Sequence, residues 1–333
     1  MKTCSNCILP ETFPGITFNS DDTCVFCQKF EGKKLKLIGD KKKYEQKFLD
    51  LLSSWGNGHN RSYDVLMAYS GGKDSTYTMY LLNSKYNLRI LALSFDNGFI
   101  STTSLENIKA VTDRLGIDHI LFKPQWAIMK KIFLHASEHE IFSKKTLERA
   151  STICTSCIGI VKSLCLKTAI EQNIPMIGFG WSPGQAPVQS SIMKNNPSLI
   201  KMTQNAILAP LRGIVGNEID AYFLNEGHYS QAEKFPHNIH PMAWEHYNEE
   251  MILEEIKKLG WKEPEDTDTN SSNCLINAFA NDIHIKKYGF HPYVWEIANM
   301  VREGVMSREE GYQKIYQEQD RSLVDIAKNK LGI

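Results

Sequence analysis

The segment VLMAYSGGKDSTYTMYLL, Val65 to Leu82, constrains the fold of this chain more than any other. Val65 to Tyr69 is an uninterrupted apolar run of strand length, which suits a parallel strand buried on both faces. SGGKDS (Ser70 to Ser75) follows at once, and Thr76 to Leu82 opens an amphipathic helix. A strand, a glycine-rich turn and a helix N-terminus in that order make a phosphate cradle. The glycines let the backbone approach the anion, and the helix N–H groups and dipole favour it. Lys73 adds a point charge; Ser70 and Ser75 add hydroxyls. The spacing is not that of a Walker A loop, G-x-x-x-x-G-K-[ST].

The chain after this loop alternates strands and helices. Ile90 to Phe95 is a second apolar strand ending in Asp96-Asn97-Gly98, SLENIKAVTDRLGI reads as a helix, DHILFKP as a third strand, and Ile174 to Pro187 as a fourth strand with a glycine-rich loop. This order predicts an α/β fold with a doubly wound parallel sheet. Ligands in such sheets sit beyond the carboxyl ends of the strands. Asp96 stands at one such end, where it is either a ligand contact or a turn residue.

Eight cysteines are present. Cys4 and Cys7, then Cys24 and Cys27, form two C-x-x-C pairs separated by 16 residues. That spacing fits a closed four-thiolate Zn²⁺ site, which is structural in kind. A short strand is expected between the pairs at Ile16 to Phe18, then a lysine-rich helix from Lys41 to Trp55, and a linker at GNGHNRS. Cys154 and Cys157 form a further C-x-x-C just before a helical pattern, in a loop expected to open onto the nucleotide face. Cys165, among apolar helical neighbours, reads as core. Cys274 lies in a polar turn before an apolar helix. The set Cys154, Cys157 and Cys274 can be read as ligands of an iron–sulfur cluster, as a persulfide-carrying pair, as a second zinc site or as inert cysteines.

SGGKDS resembles the S-G-G-x-D-S pyrophosphate loop of the PP-loop ATP pyrophosphatases. That resemblance implies a fold like the adenine nucleotide alpha hydrolases, with ATP and Mg²⁺ as cofactors. ATP is expected across Ser70, Gly71, Gly72, Lys73, Asp74 and Ser75, with Phe95 and Asp96 at the adenosine and Gly180 in the strand-four loop. Lys73 and Asp74 are the expected catalytic residues of the loop; Asp74 either caps the helix or orients the metal. Enzymes of this kind adenylate a substrate oxygen, release pyrophosphate, and let sulfur or nitrogen displace AMP. The C-x-x-C with one later cysteine resembles the PP-loop tRNA thiolases. It implies a [4Fe–4S] cluster on Cys154, Cys157 and Cys274 and a catalytic role for the first two. The two ends of the chain, CSNCILPETFPGITFNSDDTCVFC and YGFHPYVWEIANMVREGVMSREEGYQKI, are similar to a different group, the N-acetyl sugar amidotransferases of surface-polysaccharide synthesis. They imply replacement of the oxygen by ammonia-derived nitrogen supplied by a glutaminase.

The expected organisation is a zinc ribbon over 1–35, a helix and linker over 36–60, a PP-loop domain over 61–200 and a mostly helical substrate or interface region over 201–333. Lys+Arg and Asp+Glu balance at 38 each, so no overall basic excess draws nucleic acid. EGKKLKLIGDKKKYEQK is a local basic run. No apolar leader opens the chain and no window approaches 18 uninterrupted apolar residues, so a cytoplasmic protein without a membrane span is expected. The acceptor is expected to be a small molecule, such as a nucleotide-sugar, or a tRNA. A sulfur-donor protein and a homodimer are further partners left open. His228, His237, His240, His246 and His291 lack tight ligand spacing, and surface or pocket roles suit them better than metal.

Overall fold

The computed structural model describes residues 1–32, 34–54, 61–268, 270–271 and 273–333. Six strands form one sheet: β1 (Val65–Ala68), β2 (Ile90–Phe95), β3 (Asp118–Phe122), β4 (Met176–Phe179), β5 (Ile192–Lys194) and β6 (His237–Ile239). Their order is β3-β2-β1-β4-β6-β5, parallel throughout except for the antiparallel β5–β6 edge. From β1 the chain moves outward through β2 and β3, then returns to lay β4 on the other side of β1. The strand order reverses there, and the crevice beyond the carboxyl ends of β1 and β4 is where such sheets hold ligands.

The helices are α1 (Val25–Glu31), α2 (Lys34–Ser54), α3 (Lys73–Tyr80), α4 (Thr102–Leu115), α5 (Trp126–Glu138), α6 (Lys144–Leu147), α7 (Thr152–Glu171), α8 (Pro197–Val215), α9 (Glu226–Tyr229), α10 (Glu249–Lys257), α11 (Asn277–Tyr288), α12 (Val294–Arg302), α13 (Arg308–Tyr316) and α14 (Arg321–Leu331). Successive strand residues face opposite cores, as a pleated strand requires. Val65, Met67, Ile90 and Ala92 pack with Met79 of α3 and Ile108 and Val111 of α4. Leu66, Leu91 and Leu93 pack with Leu164, Cys165 and Ala169 of α7. Both faces are therefore covered, as expected for a doubly wound sheet. Cys165 is fully buried there.

Several local expectations are corrected. Ile16 to Phe18 is not a strand; Phe18 makes only an isolated bridge to Cys24, because the cysteine knuckles rather than a ladder organise this segment. The lysine-rich helix begins at Lys34, not Lys41, and runs to Ser54. Most of the GNGHNRS linker lies outside the described residues. Cys154 and Cys157 are not in a loop. Ser151 caps α7, its Oγ accepting from the Cys154 N–H at 3.1 Å, so both cysteines sit in the first two turns of that helix. The region 201–333 is mostly helical but also supplies β6. α7 has the length and apolarity of a membrane span, yet more than half of its apolar window is buried inside the protein.

The N-terminal module docks on the C-terminal helices. Arg308, at the start of α13, donates to the carbonyl oxygens of Cys4 and Cys7 (Nε to Cys7 O, 2.9 Å), and the Tyr316 hydroxyl donates to Ile8 O at 2.7 Å. Thr12 Oγ1 donates to Gly289 O at 2.6 Å. Ser307 and Glu310 form the reciprocal capping box that starts α13.

Candidate functional site

The glycine-rich loop leaves β1 and enters α3 without a side-chain cap; Gly72 is the N-cap residue. No side chain caps α3, so Asp74, in its first turn, does not act as the cap. Gly71 has φ +76°, and a Cβ there would come within 2.7 Å of Ser104 O. Only glycine fits that position without strain. The hydroxyls of Ser70 and Ser75 lie 3.0 Å apart, and Ser75 Oγ also donates to Gly72 O, so they fix the loop from inside. Gly180, just past β4, lies so close to the loop that a Cβ would approach Ser75 Cα to 2.3 Å. The end of β4 thus closes directly on the loop.

Two distant segments hold the loop from the other side. The Trp261 indole N–H donates to Gly71 O at 2.9 Å. Lys73 Nζ donates to the Tyr247 hydroxyl at 2.7 Å and lies 3.2 Å from Asp74 Oδ1 and 3.3 Å from Glu249 Oε1. Burial works against the charge of Lys73, but Asp74, Tyr247 and Glu249 together hold its pKa above the ordinary lysine value. A charged lysine with two carboxylates at a helix N-terminus offers both a phosphate ligand and oxygen ligands for a hard cation. Tyr247, Glu249 and Trp261 lie more than 170 residues beyond the loop, and no short-range pattern marks them.

The second group of residues surrounds Cys154, Cys157 and Cys274. The structure brings these three together. Asn97 Nδ2 points at both Cys157 Sγ (3.5 Å) and Cys274 Sγ (3.6 Å). Cys154 Sγ faces Asn277 Oδ1 at 3.8 Å, and the Tyr293 hydroxyl donates to the same oxygen at 3.2 Å. Cys274 is placed by a bridge to Ile100, just beyond β2. Burial, reinforced by mutual repulsion, pushes the Cys154 thiol up to about 12 and raises Cys157; burial alone raises Cys274. All three are partly buried and pack against the cluster that includes Phe99, Met129 and Ile153. Among the described residues they do not approach closely enough to share a single ion; the one group that does is N-terminal. Thiolates that bind different irons of one cluster sit further apart than thiolates on one ion. The arrangement therefore disfavours a second mononuclear zinc and is compatible with a cluster.

Glu296 joins the two halves of the site. Its carboxylate accepts from Ser182 Oγ at 2.6 Å, and it feels the charges of Asp74 and Lys73 on one side. On the other it faces Tyr293, which is in turn close to Cys154 and Cys274. Burial raises the pKa of Glu296 to about 7. Glu296 is thus coupled electrostatically to the glycine-rich loop on one side and to Tyr293 on the other. Phe95 stacks on Phe122 (6.1 Å, 7°) at the end of β2. Asp96 is used locally, accepting from the Gly98 N–H at 2.9 Å and pairing with Lys123 at 3.4 Å, so it acts as a turn residue here. Among the histidines, His240 stacks on Trp181 at 4.1 Å, with Lys162 on that indole at 4.6 Å. Burial lowers His240 to about 3, which leaves it neutral. No histidine joins a metal group among the described residues.

The N-terminal cysteines behave differently. Cys4, Cys7, Cys24 and Cys27 are all buried, and their four sulfurs lie within 4.8 Å of one another. The Cys4–Cys27 and Cys7–Cys24 sulfur pairs are each 3.8 Å apart. A tetrahedron with metal–sulfur bonds of about 2.3 Å has edges of about 3.8 Å, so the four fit one tetrahedral ion. Backbone N–H groups of Cys7, Leu9 and Cys24 point at the sulfurs, and Arg302 Nη1 points at Cys7 Sγ at 3.3 Å. Such donors stabilise thiolates.

No protein-family model matches this chain. An uncharacterized protein of Methanocaldococcus jannaschii is 23% identical over 313 residues, covering 94% of this chain and 92% of that protein. Among solved structures, the U34-tRNA thiolase NcsA from Methanococcus maripaludis with its [4Fe-4S] cluster aligns over 92% of this chain and 88% of that one. The identity is 17% and the TM-score 0.37. A likeness that loose carries no argument about fold or activity, so the chemistry must be read from the residues of this chain.

Proposed function

We propose that this chain is an ATP-dependent enzyme of the PP-loop type. It adenylates a carbonyl or amide oxygen of an acceptor and replaces that oxygen with sulfur. The observation that carries this reading is the grouping of residues: Lys73 at the start of the helix that follows the glycine-rich loop, Glu296 coupled to its charge, and Cys154, Cys157 and Cys274 gathered around Asn97 and Asn277. ATP lies with its β and γ phosphates on the loop amides of Gly71 and Gly72, the serine hydroxyls and Lys73. Asp74 and Glu249, both beside Lys73, would be the carboxylates to hold a Mg²⁺, which would neutralise charge on the phosphates.

The acceptor oxygen attacks the α-phosphorus, the bond to the bridging oxygen breaks, and pyrophosphate leaves. That oxygen becomes part of a good leaving group. Sulfide, as hydrosulfide, then bonds to the acceptor carbon, and AMP departs with the original oxygen. Glu296, with its raised pKa, is placed to take up or return the proton between the two steps. A [4Fe–4S] cluster held by Cys154, Cys157 and Cys274 would supply an iron without a protein thiolate, able to hold the incoming sulfur. The four N-terminal cysteines hold one Zn²⁺ as a structural ion.

A second reading has one observation in its favour. The two ends that resemble the sugar amidotransferases meet in space, Arg302 on Cys7 and Arg308 on the Cys4 and Cys7 carbonyls. In that reading ammonia displaces AMP and the three cysteines hold no cluster. The ATP half of the mechanism, common to both, is tested by Lys73→Ala. Acceptor-dependent pyrophosphate release should fall at least about 100-fold with zinc content and far-UV spectrum unchanged. Turnover that survives the substitution would show that Ser70 to Ser75 is not the ATP loop.

A further inference from the structure

A cavity of about 490 Å³ is walled by four parts of the chain: α1 and α2, Arg149 between α6 and α7, the loop that follows Gly180, and α12 with its C-cap. Trp295 and Asn299 of α12 and the C-cap Glu303 line it at successive turns, while Glu296 on the same helix is coupled to the charge of Lys73. Gln185 spans the wall: its Oε1 accepts from the Ser182 N–H, and its side chain also bonds Glu296. Asn299 fixes the wall further, donating to Gly184 O at 3.0 Å. Gly184 itself approaches α12 so closely that a Cβ would come within 2.2 Å of Glu296 O. The cavity is thus separated from the phosphate loop by little more than Glu296 and the Ser182–Gln185 turn.

Its chemistry is uneven. Trp295 is held by stacking on Phe13 (5.4 Å, 9°) and by the edge of Phe26 at 5.0 Å, and it contributes a rigid aromatic surface to the wall. Arg149 lies 5.8 Å over that ring, and Lys36 stands on the neighbouring wall. Neither cation has a carboxylate partner among the described residues. Two carboxylates also line the cavity: Asp40 accepts from Gln189 Nε2 at 2.6 Å, and burial raises the pKa of Glu303. The volume is that of a small-molecule site. Two unpaired cations beside an aromatic plane suit one ring with an anionic tail.

We propose that this cavity is the acceptor subsite and that it takes a small ring compound carrying a phosphate, with Trp295 against the ring and Arg149 and Lys36 on the phosphate. This rests on the adenylation reading only for the word acceptor; the ligand chemistry stands on the cavity. The ring belongs to either a sugar phosphate or a nucleoside phosphate, and the test separates them. The zinc module is then a wall of the substrate site, since Phe30, three residues after Cys27, lines the cavity.

The test is saturation-transfer NMR and calorimetry on the full zinc-loaded chain, with α,β-methylene ATP present to occupy the phosphate loop. The probes are N-acetylglucosamine 1-phosphate and uridine monophosphate, each beside its unphosphorylated form, and bulk tRNA. At least one phosphorylated probe should bind at least tenfold more tightly than its parent. Ala186→Trp, which fills the cavity from the surface loop, and Arg149→Ala should each weaken that binding at least tenfold and leave binding of the ATP analogue unchanged. The proposal is overturned if neither phosphorylated probe binds, if phosphate adds nothing, if binding survives both substitutions, or if tRNA binds and the small probes do not. Probe binding without any ATP-dependent pyrophosphate release would break the adenylation reading and leave the subsite standing. Pyrophosphate release without probe binding would do the reverse.

Discussion

The chain carries two sets of cysteines, and the contrast between them separates structure from chemistry. Cys4, Cys7, Cys24 and Cys27 are buried, converge to the edge length of a single tetrahedron, and receive N–H donors from the backbone and Arg302. Nothing could approach an ion there. Cys154, Cys157 and Cys274 are partly buried, do not converge on one point, and are held by the side-chain amides of Asn97 and Asn277. The same residue type at the same C-x-x-C spacing makes a closed knot in one place and a looser group in the other. What differs is how many sulfurs converge.

The contrast is sharpest under substitution. Cys24→Ser should release the zinc and, because the module forms part of the core with α12 and α13, lower the unfolding temperature by about 10 °C or more. Cys154→Ala should keep the zinc and most of the stability while abolishing sulfur transfer. Zinc analysis and thermal unfolding of the two variants check this; a Cys154→Ala protein that loses zinc or melts like Cys24→Ser would erase the distinction.

A smaller effect is expected at Arg302. It is buried beside Cys7, and a hydrogen bond to a charged group contributes roughly 1.5–3 kcal/mol. Arg302→Ala should cost about that much in denaturant unfolding of the zinc form and much less once the zinc is removed. An equal cost in both forms would mean that Arg302 packs against the module without supporting a thiolate.

The smallest effect concerns Glu296. Its pKa is raised from 4.5 to about 7 by burial. Between those values the folded protein keeps a proton that the unfolded chain has released, so this group costs stability progressively as pH rises through that window. Glu296→Gln should therefore gain a few degrees in unfolding temperature relative to the parent at pH 8 and little at pH 4. Its acceptor-dependent rate should also lose any inflection near pH 7. A parent rate profile flat between pH 6 and 8 would remove Glu296 from proton transfer.

Much of this was legible in the sequence because it is local. The glycine-rich loop is six adjacent residues between an apolar run and a helix start, and the cysteine knuckles are two short repeats at fixed spacing. The first four strands were legible for the same reason. What joins the site together was not. Tyr247, Glu249 and Trp261 reach the loop from more than 170 residues away, and Tyr293 and Glu296 reach it from beyond that. Nothing in HPYVWEIANM marks them off from an ordinary amphipathic helix. The start of α7 was misplaced because Ser151, a cap before a run of small and β-branched residues, resembles loop sequence until its hydroxyl is seen to accept from Cys154. β5 and β6, three residues each, carry too little pattern to read. Asp96 shows the turn contacts that its position also suggested, with its carboxylate near Gly98 and Lys123.

The most direct measurement is the metal and sulfide content of protein purified without oxygen. Sulfur transfer predicts one zinc, about four irons and about four acid-labile sulfides per chain, with Cys274→Ala losing the iron and sulfide but not the zinc. Protein that holds its zinc, releases pyrophosphate from ATP with acceptor, and yet contains neither iron nor sulfide would contradict sulfur transfer through these cysteines and leave nitrogen transfer as the reaction.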